Sequence, residues 1–201
     1  MITAEEVRRL REMTGAGMMD CKRALEEAEG DLARAQELLR TRGLAAAGKR
    51  AGKVAREGVV EAYIHHNRSL GVLIEVNCET DFVANTEEFR ALARDLAMQV
   101  AAGDPWWVSR EDVPEEVVER ERKIYEAGAR EEGKPDQVIP KIVEGRLEAF
   151  YRERCLVDQP FFKDEDRRTG DLIAGTGAKV GEKVEVRRFA RFVRGGDGTR
   201  E

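Results

Sequence analysis

The fold is decided by residues 70–89, which read Leu-Gly-Val-Leu-Ile-Glu-Val-Asn-Cys-Glu-Thr-Asp-Phe-Val-Ala-Asn-Thr-Glu-Glu-Phe. Alternate residues up to Cys78 are apolar, which predicts a strand with one buried face. Asn85 stands three residues before Glu88, a spacing typical of a helix start. Residues 77–85 should therefore form a short connection between a strand and a helix. Because loops on rigid scaffolds often carry function, we expect the functional site of the protein in this connection.

Phe82 is the large aromatic side chain of this connection. The local pattern favours a hydrophobic plug that packs under its own helix, because apolar side chains are usually buried. The alternative is an exposed anchor that a partner protein binds. The strand before it and the helix after it would hold such an anchor more rigidly than a loose segment could.

The composition indicates a folded chain without a strong overall charge. Of its 201 residues, 41% are hydrophobic and 37% are charged, and 40 acidic against 35 basic side chains give a formal net charge of −5. No overall field therefore attracts the molecule to nucleic acid or to an anionic membrane. No apolar run has the length of a membrane span, and the N-terminus lacks the features of a signal peptide. We expect a cytoplasmic protein with no direct nucleic-acid or membrane partner.

The chain has few residues suited to metal binding or nucleophilic chemistry. Cys21, Cys78 and Cys155 lie far apart and form no Cys-x-x-Cys pattern, which argues against a disulfide framework and against a zinc site. His65 and His66 are neighbours on a predicted strand, so their side chains should point to opposite faces and could not chelate one ion. Neither a metal nor another cofactor is predicted.

Three short helices are predicted before residue 45. Thr3 and Glu6 form a capping-box pair at the start of the first, Glu29-Gly30 stops the second, and the third should end at Gly43. Their apolar residues recur at helical spacing, which indicates a miniature three-helix bundle.

The chain beyond the bundle contains three β-rich runs. Val59–His66 and Leu70–Cys78 are joined by a polar connection of hairpin length, and the last strand is Val184–Val193. The last run is locally basic, and alternation should place some of its arginines on the exposed face of the sheet, where charge on an edge strand discourages aggregation. These arginines are Arg187, Arg188, Arg191 and Arg194.

Helical spacing of apolar residues predicts four further helices. The first ends near Gly103, the second opens at Pro114 with Ile124 on its buried stripe, and the third opens at Asp136. The fourth covers Leu172–Val180 but contains two glycines, each of which costs roughly 1 kcal/mol relative to alanine. The resulting domain boundaries are 1–45 for the bundle, 46–57 for a linker, 58–194 for the core and 195–201 for a disordered tail.

One motif suggests nucleotide binding, but its context argues against that function. Gly43, Gly48 and Lys49 match part of a phosphate-binding loop, whose backbone amides cradle phosphates. Arg50 replaces the Ser or Thr that should hold magnesium, and a helix precedes the segment where the motif needs a strand. No other catalytic constellation is present, so the sequence predicts a binding protein and not an enzyme.

Three stretches of the chain together resemble the translation elongation factor Ts family. They are Leu10–Leu25, which contains Thr-Gly-Ala-Gly-Met-Met-Asp-Cys; Glu75–Ala84, which contains Asn-Cys-Glu-Thr-Asp-Phe-Val; and Val186-Arg187-Arg188-Phe189. The similarity of arrangement extends from residue 1 to about residue 194. The resemblance implies an α+β fold, in which a three-helix domain like the ubiquitin-associated (UBA) domain precedes a core with a three-stranded antiparallel sheet packed with helices.

The resemblance also implies a function and a site. A protein of this family is a guanine-nucleotide exchange factor for elongation factor Tu, which it binds in the GDP-bound and nucleotide-free states. Thr80, Asp81, Phe82 and Val83 would form the contact that disturbs magnesium and phosphate binding in the partner. In this contact, Phe82 would wedge into the G domain and promote GDP release. Met18 and Met19 would add a second, apolar contact.

The resemblance leaves some features of this chain open. Because the chain has room for one core unit, it is similar to the short form of the family, which is expected to pair as a homodimer. Gly175 and Gly177 loosen the last predicted helix, and Asp158–Asp171 is highly charged, so partner contacts of residues 158–181 are not assigned. The alternative function is a UBA-like protein-binding adaptor without exchange activity; a hydrolase built on Gly43–Lys49 is a weaker one.

Overall fold

The computed structural model describes residues 2–14, 16–50 and 52–196. Its elements are α1 (Ala4–Thr14), α2 (Met18–Glu27), α3 (Leu32–Arg50), β1 (Glu57–Ile64), β2 (Leu70–Cys78), α4 (Asp81–Ala84), α5 (Glu87–Gly103), α6 (Glu115–Glu131), α7 (Ile139–Arg154), β3 (Pro160–Phe161), β4 (Asp164–Arg168), α8 (Thr169–Val180) and β5 (Glu185–Val193). Short 3₁₀ turns cover Arg110–Asp112 and Leu156–Asp158. The mixed helix and sheet content confirms the predicted α+β class. None of the described helices is long and apolar enough to cross a membrane.

Contacts within the chain define two compact units. The first unit combines residues up to Glu61 with Glu75–Ala93 and Asp171–Val186, and the second combines Ala62–Ile74, Arg94–Gly170 and the chain from Arg187 onward. The domain boundaries at 1–45, 46–57, 58–194 and 195–201 remain predictions, and residues 197–201 of the proposed disordered tail lie outside the described residues.

Helices α1, α2 and α3 form the predicted bundle. Their shared core consists of the buried side chains Val7, Leu10, Cys21, Ala24, Leu25, Ala28 and Ala35. The capping box is confirmed, because Thr3 N donates to Glu6 Oε2 at 2.7 Å and Glu6 N donates to Thr3 Oγ1 at 3.2 Å. The stop after α2 is also confirmed, with Gly30 at φ +88° and its N–H bonded to Leu25 O at 2.9 Å.

Helix α3 is longer than its sequence pattern predicts. It continues through Gly43 and ends at Arg50, so the predicted stop at Gly43 is wrong. The residues that follow this glycine are Leu-Ala-Ala-Ala, and alanine has the highest helix propensity, which outweighs the cost of one internal glycine. Gly43 and Gly48 therefore lie inside a continuous helix, which is not the strand-loop-helix arrangement that a phosphate-binding loop requires.

The main sheet has the order β1-β2-β5 and is antiparallel. Central strand β2 buries Val72, Ile74, Val76 and Cys78, as the alternation predicts. Strand β5 lies at an edge, and Arg187, Arg188 and Arg194 are exposed as expected. Arg191 is half-buried instead: its Nη2 donates to Ala101 O at 3.3 Å near the C-terminus of α5, and its Nη1 pairs with Asp104 at 3.0 Å. A cation suits the negative end of that helix.

Two further elements differ from the sequence predictions. Strands β3 and β4 form a small antiparallel hairpin within the charged segment Asp158–Asp171, where the sequence pattern predicts no strand. Ile124 of α6 is exposed, not buried, because α6 packs through Val118, Tyr125 and Ala129 against the buried Val143 and its neighbours on α7. The predicted helix α8 does form, with Gly175 and Gly177 inside it.

Gly58 of β1 supplies the clearest backbone requirement of the fold. It has φ +151°, and a Cβ atom there would lie 2.1 Å from Val76 O. We expect Gly58→Ala to reduce the free energy of unfolding by at least about 2 kcal/mol, through backbone strain and steric overlap. Urea unfolding monitored by circular dichroism measures this loss.

The matched control is Gly48→Ala in α3, where an added Cβ meets nothing within 4 Å and should stabilise the helix by up to about 1 kcal/mol. Equal midpoints for Gly58→Ala and wild type would contradict the strain argument.

Candidate partner-binding site

The connection between β2 and α5 is organised as one helical turn, α4. Thr80 is its N-cap, with φ −130° and ψ 152°, and its Oγ1 accepts from Val83 N at 3.4 Å. Asn85 ends this turn: its backbone N–H donates to Asp81 O at 3.0 Å, and its side-chain amide donates to the same oxygen at 2.9 Å. The connection is therefore a rigid turn and not an open loop.

The prediction that Asn85 starts the following helix is wrong by one residue. Thr86 Oγ1 accepts from Phe89 N at 3.3 Å, so Thr86 takes the capping position of α5. Asn and Thr are both good N-cap residues, and the sequence places them side by side. Asn85 is used to close α4, which the sequence pattern did not predict.

Phe82 is 87% exposed, so the prediction of a buried plug is wrong. The inward side of α4 is provided by Ala84, which is buried, and by Val83, which is half-buried. Asp81 and Phe82 face solvent on the same turn. A phenylalanine that exposes most of its surface gains little from folding, and this arrangement is typical of a residue that binds a partner.

Two buried or half-buried groups hold the start of α4. The Cys78 thiol is fully buried and donates from Sγ to Thr80 O at 3.1 Å. Burial raises its pKa to about 11, so it remains a neutral thiol at physiological pH. The Glu79 carboxylate accepts from Lys53 Nζ at 2.7 Å and from Lys183 N at 2.6 Å, and the bond from Lys53 is the main reason that its pKa is lowered.

Met18 and Met19 lie at the start of α2, away in sequence from α4. Their side chains are 41% and 65% exposed, although methionine is an apolar residue. Met18 borders a surface recess of about 560 Å³ in the first unit, whose other lining residues are Arg8, Arg11, Glu12, Glu88 and Lys179. The other lining side chains are charged and Met18 is flexible and apolar, a combination suited to contact with another protein.

The histidines adopt an arrangement that differs from the predicted one. Strand β1 ends at Ile64, so His65 and His66 lie in the turn, with ring centroids 4.3 Å apart, and the argument that they point to opposite faces is wrong. His65 Nδ1 is hydrogen-bonded to Tyr63 Oη at 2.8 Å. Within the part of the chain that the structure describes, no three His, Cys, Asp or Glu residues form a group that could hold a metal ion.

Comparison with known proteins gives a consistent assignment. The family model described as Elongation factor TS matches residues 35–196. The chain is 60% identical over 192 residues to elongation factor Ts of Carboxydothermus hydrogenoformans, covering 96% of this chain and 88% of that protein. It is 62% identical over 192 residues to elongation factor Ts of Moorella thermoacetica, covering 96% and 95%. The corresponding protein of Caldanaerobacter subterraneus is 57% identical over 195 residues, covering 97% and 98%. The chain therefore belongs to the elongation factor Ts family.

Proposed function

We propose that this protein is a guanine-nucleotide exchange factor for translation elongation factor Tu and acts in the cytoplasm. It binds the GDP-bound partner, inserts Phe82 into the G domain, disturbs magnesium and phosphate binding and promotes GDP release. The observation that supports this proposal is the 87% exposed Phe82 on a turn that is capped at both ends. No proton transfer, cofactor or nucleic-acid contact is needed for this activity.

Thermodynamic linkage explains why exchange requires a rigid apolar wedge. If the factor weakens nucleotide binding by some ratio, nucleotide must weaken binding of the factor by the same ratio. The interface must therefore fit the distorted, nucleotide-free partner better than the GDP-bound one. An aromatic side chain held in one orientation meets this condition. A mobile side chain would adapt to both states of the partner and would not discriminate between them.

We also propose that two copies of the chain associate through the main sheet. Ile64, Leu73 and Phe192 are 63%, 48% and 67% exposed on strands β1, β2 and β5. Three large apolar side chains without cover on a sheet are unusual in a monomer and typical of an interface. A symmetric dimer would pair this patch with itself. The two copies would then present two exchange surfaces in one assembly.

Release of labelled GDP from elongation factor Tu tests the proposed function. Wild-type protein should accelerate release at concentrations well below that of the partner, since an exchange factor turns over. We expect the double variant Met18→Ala/Met19→Ala to need roughly tenfold more protein for half-maximal acceleration, since truncating two apolar contacts removes binding free energy of about 1–2 kcal/mol. Its maximal rate should be unchanged, because α4 is intact.

Met13→Ala is the matched control, because Met13 is an exposed methionine of the same bundle that the site does not include. An equal shift in both variants would contradict a specific role for Met18 and Met19. The alternative function, a UBA-like adaptor without exchange activity, is favoured by the same exposed methionines on a folded bundle. It predicts that the wild-type protein leaves GDP release unchanged.

A further inference from the structure

The turn between α8 and β5 contacts the start of α4, although the two segments are about a hundred residues apart in sequence. The Glu182 carboxylate accepts three hydrogen bonds from this region: from Glu79 N at 3.0 Å, from Thr80 N at 3.0 Å and from Thr80 Oγ1 at 2.6 Å. Both carboxylate oxygens are used. Hydrogen bonds to an ionised acceptor are about twice as strong as neutral ones, so this contact is stronger than an ordinary turn contact.

The contact is reciprocal. Glu79 accepts from the backbone N–H of Lys183 at 2.6 Å, while Glu182 accepts from the backbone N–H of Glu79. Each segment therefore provides one carboxylate and at least one amide to the other. Lys53 Nζ donates to Glu79 at 2.7 Å and Lys183 Nζ donates to Lys53 O at 3.2 Å, so the chain after α3 joins the same cluster. Two carboxylates are held close together by donors on three segments.

Thr80 is the residue on which these contacts converge. Its N–H and hydroxyl both donate to Glu182, and its carbonyl oxygen accepts from Cys78 Sγ at 3.1 Å. Because the hydroxyl hydrogen is directed to Glu182, the oxygen lone pairs face the α4 amides, and Val83 N donates to them at 3.4 Å. Glu182 thereby sets the rotamer of the N-cap, and the N-cap sets the direction in which α4 starts.

Gly177 explains how the α8–β5 turn reaches this position. A Cβ atom at Gly177 would lie 2.9 Å from Glu182 O and 3.8 Å from Val184 Cβ. The turn that carries Glu182 therefore packs directly against the backbone of Gly177, where no side chain intervenes. The glycine that weakens the helix pattern in the sequence is the residue that lets the turn approach.

From these contacts we infer that Glu182 is a positioning residue for nucleotide exchange, which holds Thr80 and hence Phe82 in the orientation that enters the partner. This inference rests on the proposed function, because it assigns to Glu182 an effect that is transmitted through Phe82. Glu182 itself need not touch elongation factor Tu. Removing it should leave the fold in place and let α4 sample other orientations.

The test compares Glu182→Gln and Glu182→Ala with Glu185→Gln in the GDP-release assay. Glu185 is the matched control, since it is half-buried in the same region and pairs with Lys183 Nζ at 2.8 Å instead. We expect the maximal release rate to fall by about tenfold for Glu182→Ala and less for Glu182→Gln, which keeps one acceptor oxygen. Glu185→Gln should match wild type. Amide hydrogen exchange at residues 79–84 should become faster in both Glu182 variants, while circular dichroism at the assay temperature should match wild type.

A double-mutant cycle separates positioning from a general structural effect. If Glu182 acts through Phe82, then Glu182→Ala should change release by less than about twofold in a Phe82→Ala background. Additive losses, or a wild-type rate for Glu182→Ala, would overturn the inference while leaving the wedge proposal intact. An unchanged release rate for Phe82→Ala alone would overturn the wedge and the positioning role together. The two failures are therefore distinguishable in one set of measurements.

Discussion

Phe82→Ala is expected to lower the acceleration of GDP release by at least about thirtyfold, which corresponds to an interface residue worth about 2 kcal/mol or more. The physical reason is the position of the side chain. Phe82 is 87% exposed on α4, so its removal takes away a surface that only a partner can bury. The loss should appear in the maximal rate, because a wedge is needed most in the distorted, nucleotide-free complex.

The fold should not change in this variant, which makes the measurement easy to interpret. No hydrogen bond of the α4 turn passes through the Phe82 side chain, and the turn packs inward through Val83 and Ala84. Circular dichroism and the melting temperature should match wild type. Ile124→Ala is a suitable control, because Ile124 is an exposed apolar residue of α6 outside the site. A wild-type rate of GDP release with the Phe82→Ala variant, or an equal loss of rate with the Ile124→Ala variant, would contradict the wedge role.

The parts of the fold that were predicted correctly are those in which one physical rule dominates. The alternation along β2 predicted its buried face through Cys78, since one side of a sheet strand must be apolar when it covers a core. The bundle was predicted from helical spacing and from two strong stops, the Thr3–Glu6 capping box and Gly30. In each case the local signal and the tertiary requirement coincide.

The errors occurred where two rules of similar strength competed. Asn85 and Thr86 are both good caps, and the choice between them depends on the turn α4, whose four residues are too few to show a period. Gly43 predicts a stop because glycine often ends helices, but the alanines that follow it continue α3. The apolar character of Ile124 predicts a buried side chain, but the neighbouring stripe of α6 packs against α7 and leaves Ile124 exposed.

The candidate site was predicted only in part. Its position between β2 and α5 follows from the sequence, but the exposure of Phe82 contradicts the usual preference of apolar residues for the core. The role of Glu182 has no signal in a single sequence, because it is one of many glutamates and its partners lie about a hundred residues away. Long-range polar contacts of this kind depend on how the chain is folded and not on a local period.

A charge on the main sheet should convert the proposed dimer to a monomer. We expect Phe192→Asp to sediment as a monomer at micromolar concentrations at which the wild-type protein sediments as a dimer. Phe192 is 67% exposed on β5, and pairing two copies of this patch would bury two carboxylates against apolar surface without a partner. The cost of doing so is several kcal/mol, roughly a thousandfold or more in the dissociation constant.

The Phe192→Asp monomer should remain folded, because Phe192 is 67% exposed and contributes little buried surface to its own chain. Val54→Asp, which places the same charge on an exposed valine outside the main sheet, should sediment as wild type. Analytical ultracentrifugation over a range of concentrations measures all three proteins, and a wild-type monomer at micromolar concentration would rule out this interface.

The same samples, assayed for GDP release from elongation factor Tu, show whether exchange needs the dimer. Phe192 lies on β5 and not on α4, so its replacement leaves the turn that carries Phe82 intact. A monomer that still accelerates GDP release would therefore mean that each copy of Phe82 acts alone. Loss of exchange with an intact fold would mean that the second copy completes the surface that binds elongation factor Tu.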